Sequence, residues 1–95
     1  MGKVMVYIVH DRSVSQAVQE VLKELKIDHY SRFRDAMEAR QVQPGKEQDP
    51  EPRSVTIAVV EDSLRRRLLD RLKALQVDSP LTGIRAFVVS VLDTL

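Results

Sequence analysis

The chain reads as an α+β fold of order βαββαβ, a four-stranded antiparallel sheet with two helices on one face, and three observations predict it. A strand pattern followed by an amphipathic-helix pattern occurs twice, at residues 4–28 and 55–78; each copy leads into one further extended segment; and a proline-rich stretch, QVQPGKEQDPEPR at 41–53, separates the two halves. Ninety-five residues support one hydrophobic core rather than two. The two halves must therefore share it, and residues 1–95 are expected to form a single domain.

The first strand is VMVYIV at 4–9, a short apolar run rich in β-branched side chains and bounded by the turn-like HDRS. Ser13 and Gln16 have the spacing of a capping box, in which hydroxyl and amide each satisfy a free backbone N–H at a helix start. In the helix that follows, Val14, Ala17, Val18, Val21, Leu22 and Leu25 recur at helical spacing, with Ser15, Gln19, Lys23 and Glu24 on the other side. One stripe must face a core. HYSRFRDAMEAR then supplies a mostly polar second strand of the kind found at a sheet edge.

The second half repeats this plan. Val55, Ile57 and Val59 match Val4, Val6 and Ile8, and Leu64, Leu68, Leu72 and Leu75 match Val14, Val18, Leu22 and Leu25, with a loop that differs by one residue. Asp62 or Ser63 is expected to cap the second helix. SPLTG makes a turn, and IRAFVVSVL is the last strand. This order is the split βαβ, ferredoxin-like arrangement. A connection of some thirteen residues is longer than a hairpin needs, so it is functional or a tolerated insertion, and its three prolines are expected to keep it from extending the sheet.

Right-handed crossovers put both helices on one side of the sheet. The other side is not polar: Met5, Tyr7 and Val9 alternate with the first set on strand one, Thr56, Ala58 and Val60 on strand three, and Phe87, Val89 and Val91 on the last strand. A bare apolar face of this size marks an interface, and a symmetric homo-oligomer is expected.

Composition removes several classes. A net charge of +1 argues against general nucleic-acid binding. With no cysteine there can be no disulfide, thiolate zinc site or thiol nucleophile. No apolar run approaches the roughly 20 residues that span a bilayer, and the N-terminus reads as a strand rather than a leader, so a cytoplasmic chain without membrane insertion is expected. An RNA-recognition domain needs stacking aromatics on strands one and three, where Tyr7 stands alone. An acylphosphatase-like enzyme needs an asparagine, and the chain has none. No catalytic constellation emerges, and the protein is expected not to be an enzyme.

KVMVYIV, YSRF, the long connection, TIAVVED and above all GIRAFVVSVLDTL resemble the PII-like superfamily of trimeric signalling proteins, over nearly the whole chain. CutA-type trimers share that architecture. The resemblance implies a homotrimer of ferredoxin-like subunits with a flexible T-loop at about 35–53. It also implies intersubunit clefts for a small anionic effector, commonly an adenine nucleotide, and a target protein engaged through the T-loop. Carried over residue by residue, it points to Ser31 on strand two and to Thr82, Gly83 and Arg85 before the last strand, which offer hydroxyl, backbone N–H and guanidinium to phosphate. Arg32, Arg34 and Arg40 are the basic candidates near the loop base. The chain departs from the pattern in having one glycine in SPLTGIR, Met37, Glu38 and Ala39 at the loop base, and no tyrosine in the loop. The alternative is a CutA-like metal-tolerance trimer or a structural oligomer with a degenerate site. His10 and His29 lack metal-ligand spacing, though three-fold symmetry could gather one histidine per subunit. Arg65, Arg66 and Arg67 read as a solvated helix face paired with Asp62 and Asp70.

Overall fold

The computed structural model describes residues 2–38, 41–43, 46–47, 51–78 and 83–95, with side chains at 2–33, 53–78 and 83–95. Strand β1 (Lys3–His10) leads through a 3-10 turn (Arg12–Val14) into helix α1 (Ser15–Glu24); β2 (Tyr30–Glu38) follows. Two short strands, β3 (Gln41–Gln43) and β4 (Lys46–Glu47), pair with each other in a separate small sheet. Then come β5 (Glu51–Glu61), a second 3-10 turn (Asp62–Leu64), α2 (Arg65–Asp78) and β6 (Arg85–Ser90). The main sheet has the order β2-β5-β1-β6 with every neighbour antiparallel. The expected βαββαβ fold is what forms, with β2 at an edge as its polar pattern implied. Among the described residues no helix is long and apolar enough to cross a membrane.

Register decides which residues share the core. Val4 pairs with Val60, Val6 with Ala58, Ile8 with Thr56 and His10 with Ser54, and directly opposed residues point to the same face. Val4, Val6, Ile8, Ala58 and Val60 therefore lie beneath the helices, in one cluster with Val18, Leu22 and Leu25 of the first half and Leu68 and Leu72 of α2. This corrects the expected phase of β5: Thr56, Ala58 and Val60 face the helices, whereas Val55, Ile57 and Val59 lie on the open side. From the first turn into the helix the halves are offset by 50 residues, Arg12 matching Asp62 and Ser15 matching Arg65, and with β5 in its observed phase the apparent one-residue loop difference vanishes. Both faces of β5 are apolar enough that hydrophobicity alone could not fix its phase.

The helix starts also differ from expectation. Asp11, not Ser13, caps the first half: its carboxylate accepts from the Ser13 N–H at 3.0 Å, and a 3-10 turn precedes α1. In the second half Glu61 stands at the cap position without a side-chain cap, and Asp62 instead pairs with Arg65 at 3.4 Å. At its other end α1 closes through the Lys26 N–H to the Lys23 carbonyl and the Ile27 N–H to the Leu22 carbonyl. This closing turn requires Lys26 at φ 60°, a conformation glycine adopts without cost.

The prolines do not keep the connection out of the sheet. β5 begins at Glu51 and runs through Pro52, opposite Met37 of β2. Pairing with β1 stops at Ser54, so beyond it β5 has a neighbour on one side only, and a residue without an N–H is tolerated there. β2 carries an extra residue between Phe33 and Ala36, a bulge at 34–35 that reverses its alternation.

Candidate functional site

The expected ligand residues divide between the two edges of the sheet. Ser31 lies on β2 opposite Ile57, exposed on the open face; Arg85 lies at the start of β6 opposite Val9, also on the open face. Three strand spacings separate these edges, about 14 Å, so within one chain the two residues are not neighbours. Arg32 pairs with Thr56 and thus points to the helix side, away from Ser31. The Arg34 backbone sits in the bulge, while its side chain, and all of Arg40 and Thr82, lie outside the described residues.

One end of the sheet gathers most of the polar chemistry. Here β1 ends, β5 begins and the chain enters β6. Gly83 has φ 64°, and the Arg53 guanidinium packs against it where a β-carbon would have to stand. The positive φ is what requires glycine here, since the end of the Arg53 side chain could move aside for a β-carbon. The Asp11 carboxyl at the same end is held below its ordinary range chiefly by the Ser13 N–H, with the Arg53 charge contributing. Arg53 was not among the residues expected from sequence. The signal was present, since it stands two residues before Val55 on the alternation that also includes Ile57.

On the helix side, the same end is a buried polar corner. His10 has no exposed surface; its Nδ1 donates to the Asp11 carbonyl at 2.9 Å, which leaves Nε2 to accept from the Thr56 hydroxyl at 3.2 Å. Ser54 and Ser15 hydroxyls meet beside it at 3.5 Å. Burial pushes the imidazole pKa down, against the pull of the Asp11 carbonyl, and the Arg32 charge lowers it further. With both nitrogens engaged, His10 is a structural histidine rather than a metal ligand. No cluster of three His, Asp or Glu that could hold a metal occurs among the described residues.

The open face is an apolar grid. Its three rows are Phe33-Val55-Val9, Ile57-Tyr7-Phe87 and Val59-Met5-Val89, with Arg85 ending the first and Ser31 beginning the second. Phe33 and Phe87 are 54% and 53% exposed in the single chain. On the far side of the molecule two arginines of the basic run pair as expected, Arg65 with Asp62 and Arg66 with Asp70 at 3.9 Å, and Arg71 of α2 reaches Glu24 of α1 at 2.6 Å.

This architecture defines a class: a ferredoxin-like domain of the kind shared by PII-like and CutA proteins. No protein-family model matches the chain, and no curated protein matches it in sequence. Among solved structures, it is similar to CPII, a nitrogen regulatory PII-like protein from Thiomonas intermedia K12 bound to ADP, AMP and bicarbonate. The TM-score is 0.73 at 12% identity, over 100% of this chain and 98% of that one. It is similar to a DUF3240 family protein from Shewanella baltica OS155, at TM-score 0.77 and 9% identity, over 100% of this chain and 96% of that one. CutA1 from Oryza sativa gives TM-score 0.73 and 12% identity, over 100% and 84% of the two chains. At these identities the likeness establishes the fold.

Proposed function

We propose that this protein is a non-enzymatic, PII-like regulatory homotrimer that binds a small anionic effector in clefts between subunits and acts on a target protein through the segment at about 35–53. One observation carries the reading. The candidate anion-binding groups stand at opposite edges of a sheet whose open face is apolar, so a second copy is needed both to cover that face and to complete the site. Packing the open faces of neighbouring copies would set the β2 edge of one, with Ser31, near the β6 end of another, with Gly83, Arg85 and Arg53. Two guanidinium groups and the backbone at Gly83 suit a phosphate or carboxylate. Adenine nucleotides and bicarbonate are the first ligands to test, because the similar Thiomonas protein holds them. The single glycine of SPLTGIR gives phosphate less backbone access than a glycine-rich loop would, which favours a smaller anion or a weaker nucleotide site. A CutA-like metal role draws no support from His10, whose nitrogens are both occupied.

The test is light scattering followed by calorimetric titration with ATP, ADP, AMP, bicarbonate and then divalent metals. A trimer with saturable anion binding, weakened roughly 10- to 100-fold by Arg85→Ala or Arg53→Ala, is the expected result. A monomer that binds none of the anions would refute the reading, and a trimer that retains metal instead would favour the CutA-like one.

A further inference from the structure

A cleft of about 480 Å³ opens between the outer side of α1 and the start of β2, away from the site described above. Its size is that of a small-molecule site. Its apolar ground is the Tyr30 ring, whose hydroxyl is 3.5 Å from the Gln19 amide; Ile27 lies at the cleft with its side chain turned into the core. Around this ground stand two ammonium groups, Lys23 and Lys26, and two carboxylates, Glu20 and Asp28. Among the described residues no ion pair joins either lysine to either carboxylate; Asp28 has only the exposed His29 ring, at 3.7 Å. One turn along the same helix, Glu24 does find a partner, Arg71, at 2.6 Å. Charges of both signs thus line one cleft without neutralising each other.

Lys26 adds a second observation. Its φ of 60° is a conformation that strains a side-chain-bearing residue and that glycine adopts freely. The strained position nevertheless carries a long cation, at the cleft.

We propose that this cleft binds a free α-amino acid. Its carboxylate would sit between Lys23 and Lys26, its ammonium group would meet Glu20 and Asp28, and an apolar side chain would lie on the Tyr30 ring. A lone anion or cation would leave two like charges unanswered, whereas a zwitterion with an apolar body answers both sets and covers the ground. The proposal is independent of the effector reading and of the oligomeric state.

The experiment is a titration of the ¹⁵N-labelled full chain with L-leucine and L-phenylalanine, followed by backbone amide shifts. Saturable shifts confined to residues 16–30, with a dissociation constant of about 1 mM or tighter, are expected. N-acetyl-L-leucine and L-leucinamide, each lacking one charge, should bind about tenfold more weakly, as should L-leucine to Lys23→Glu, an exposed substitution that leaves the fold intact. Absence of saturable shifts at ~10 mM ligand, equal binding of the singly charged analogues, or shifts outside residues 16–30 would each overturn the assignment.

Discussion

The two faces of the sheet have nearly the same hydrophobicity and different fates. One carries Val4, Val6, Ile8, Ala58 and Val60 beneath two helices; the other carries Met5, Tyr7, Val9, Val55 and Ile57 with no covering element among the described residues. What separates them is the crossover geometry that sends both helices to one side. Burial on the first face is intramolecular and is present at any dilution. In the proposed trimer, burial on the second would depend on another copy, and its contribution to stability would rise with protein concentration. The comparison also locates polarity: the buried polar residues of the covered face gather in one corner around His10, Ser54 and Thr56, whereas on the open face Ser31 and Arg85 stand at the two sheet edges.

Substitutions can separate the two faces. Leu22→Ala, on the core side of α1 at 0% exposure, should cost about 2–5 kcal/mol in denaturant unfolding at every protein concentration. Phe87→Arg on the open face should leave the monomer folded by circular dichroism yet abolish the oligomer by sedimentation, and the melting temperature should lose its dependence on concentration. If Phe87→Arg instead unfolds the chain as Leu22→Ala does, the open face belongs to the monomer's own core.

The buried corner adds a pH dependence. His10 is neutral in the fold with its pKa lowered below about 6.5, so the unfolded chain takes up the proton first. Stability should therefore be constant above pH ~7, fall as pH drops through about 6.5, and stop falling from this source below the folded-state value. His10→Gln should flatten that portion of the pH profile measured by urea titration.

The smallest expected effect is a gain. Lys26→Gly relieves the positive φ at the end of α1 and should stabilise the fold by about 0.5–1 kcal/mol. It should also weaken amino-acid binding in the α1–β2 cleft, where Lys26 supplies one of the two ammonium groups.

Much of this was legible in the chain. Helical spacing from Val14 to Leu25 and from Leu64 to Leu75 placed both helices and the sides they bury. The polar pattern of YSRFRD identified the edge strand. The phase of β5 was not legible, because VTIAVV is apolar at every position but Thr56, and a run without alternation cannot say which of its faces meets the helices. Nor was the role of Asp11 as the cap: Ser13 and Gln16 offered equally good capping chemistry, and the choice turns on where β1 releases the chain.

The sequence by itself determined the element order, the edge position of β2 and the excess of apolar surface beyond what one core can use, since each depends on local periodicity and composition. Only the tertiary structure decided which of two apolar faces is buried, that Arg53 lies against Gly83, that Ser31 and Arg85 stand at opposite edges, and that charges of both signs line the α1–β2 cleft. Those relations join residues distant in the chain. They follow from strand register and crossover hand, which no local pattern of side chains specifies.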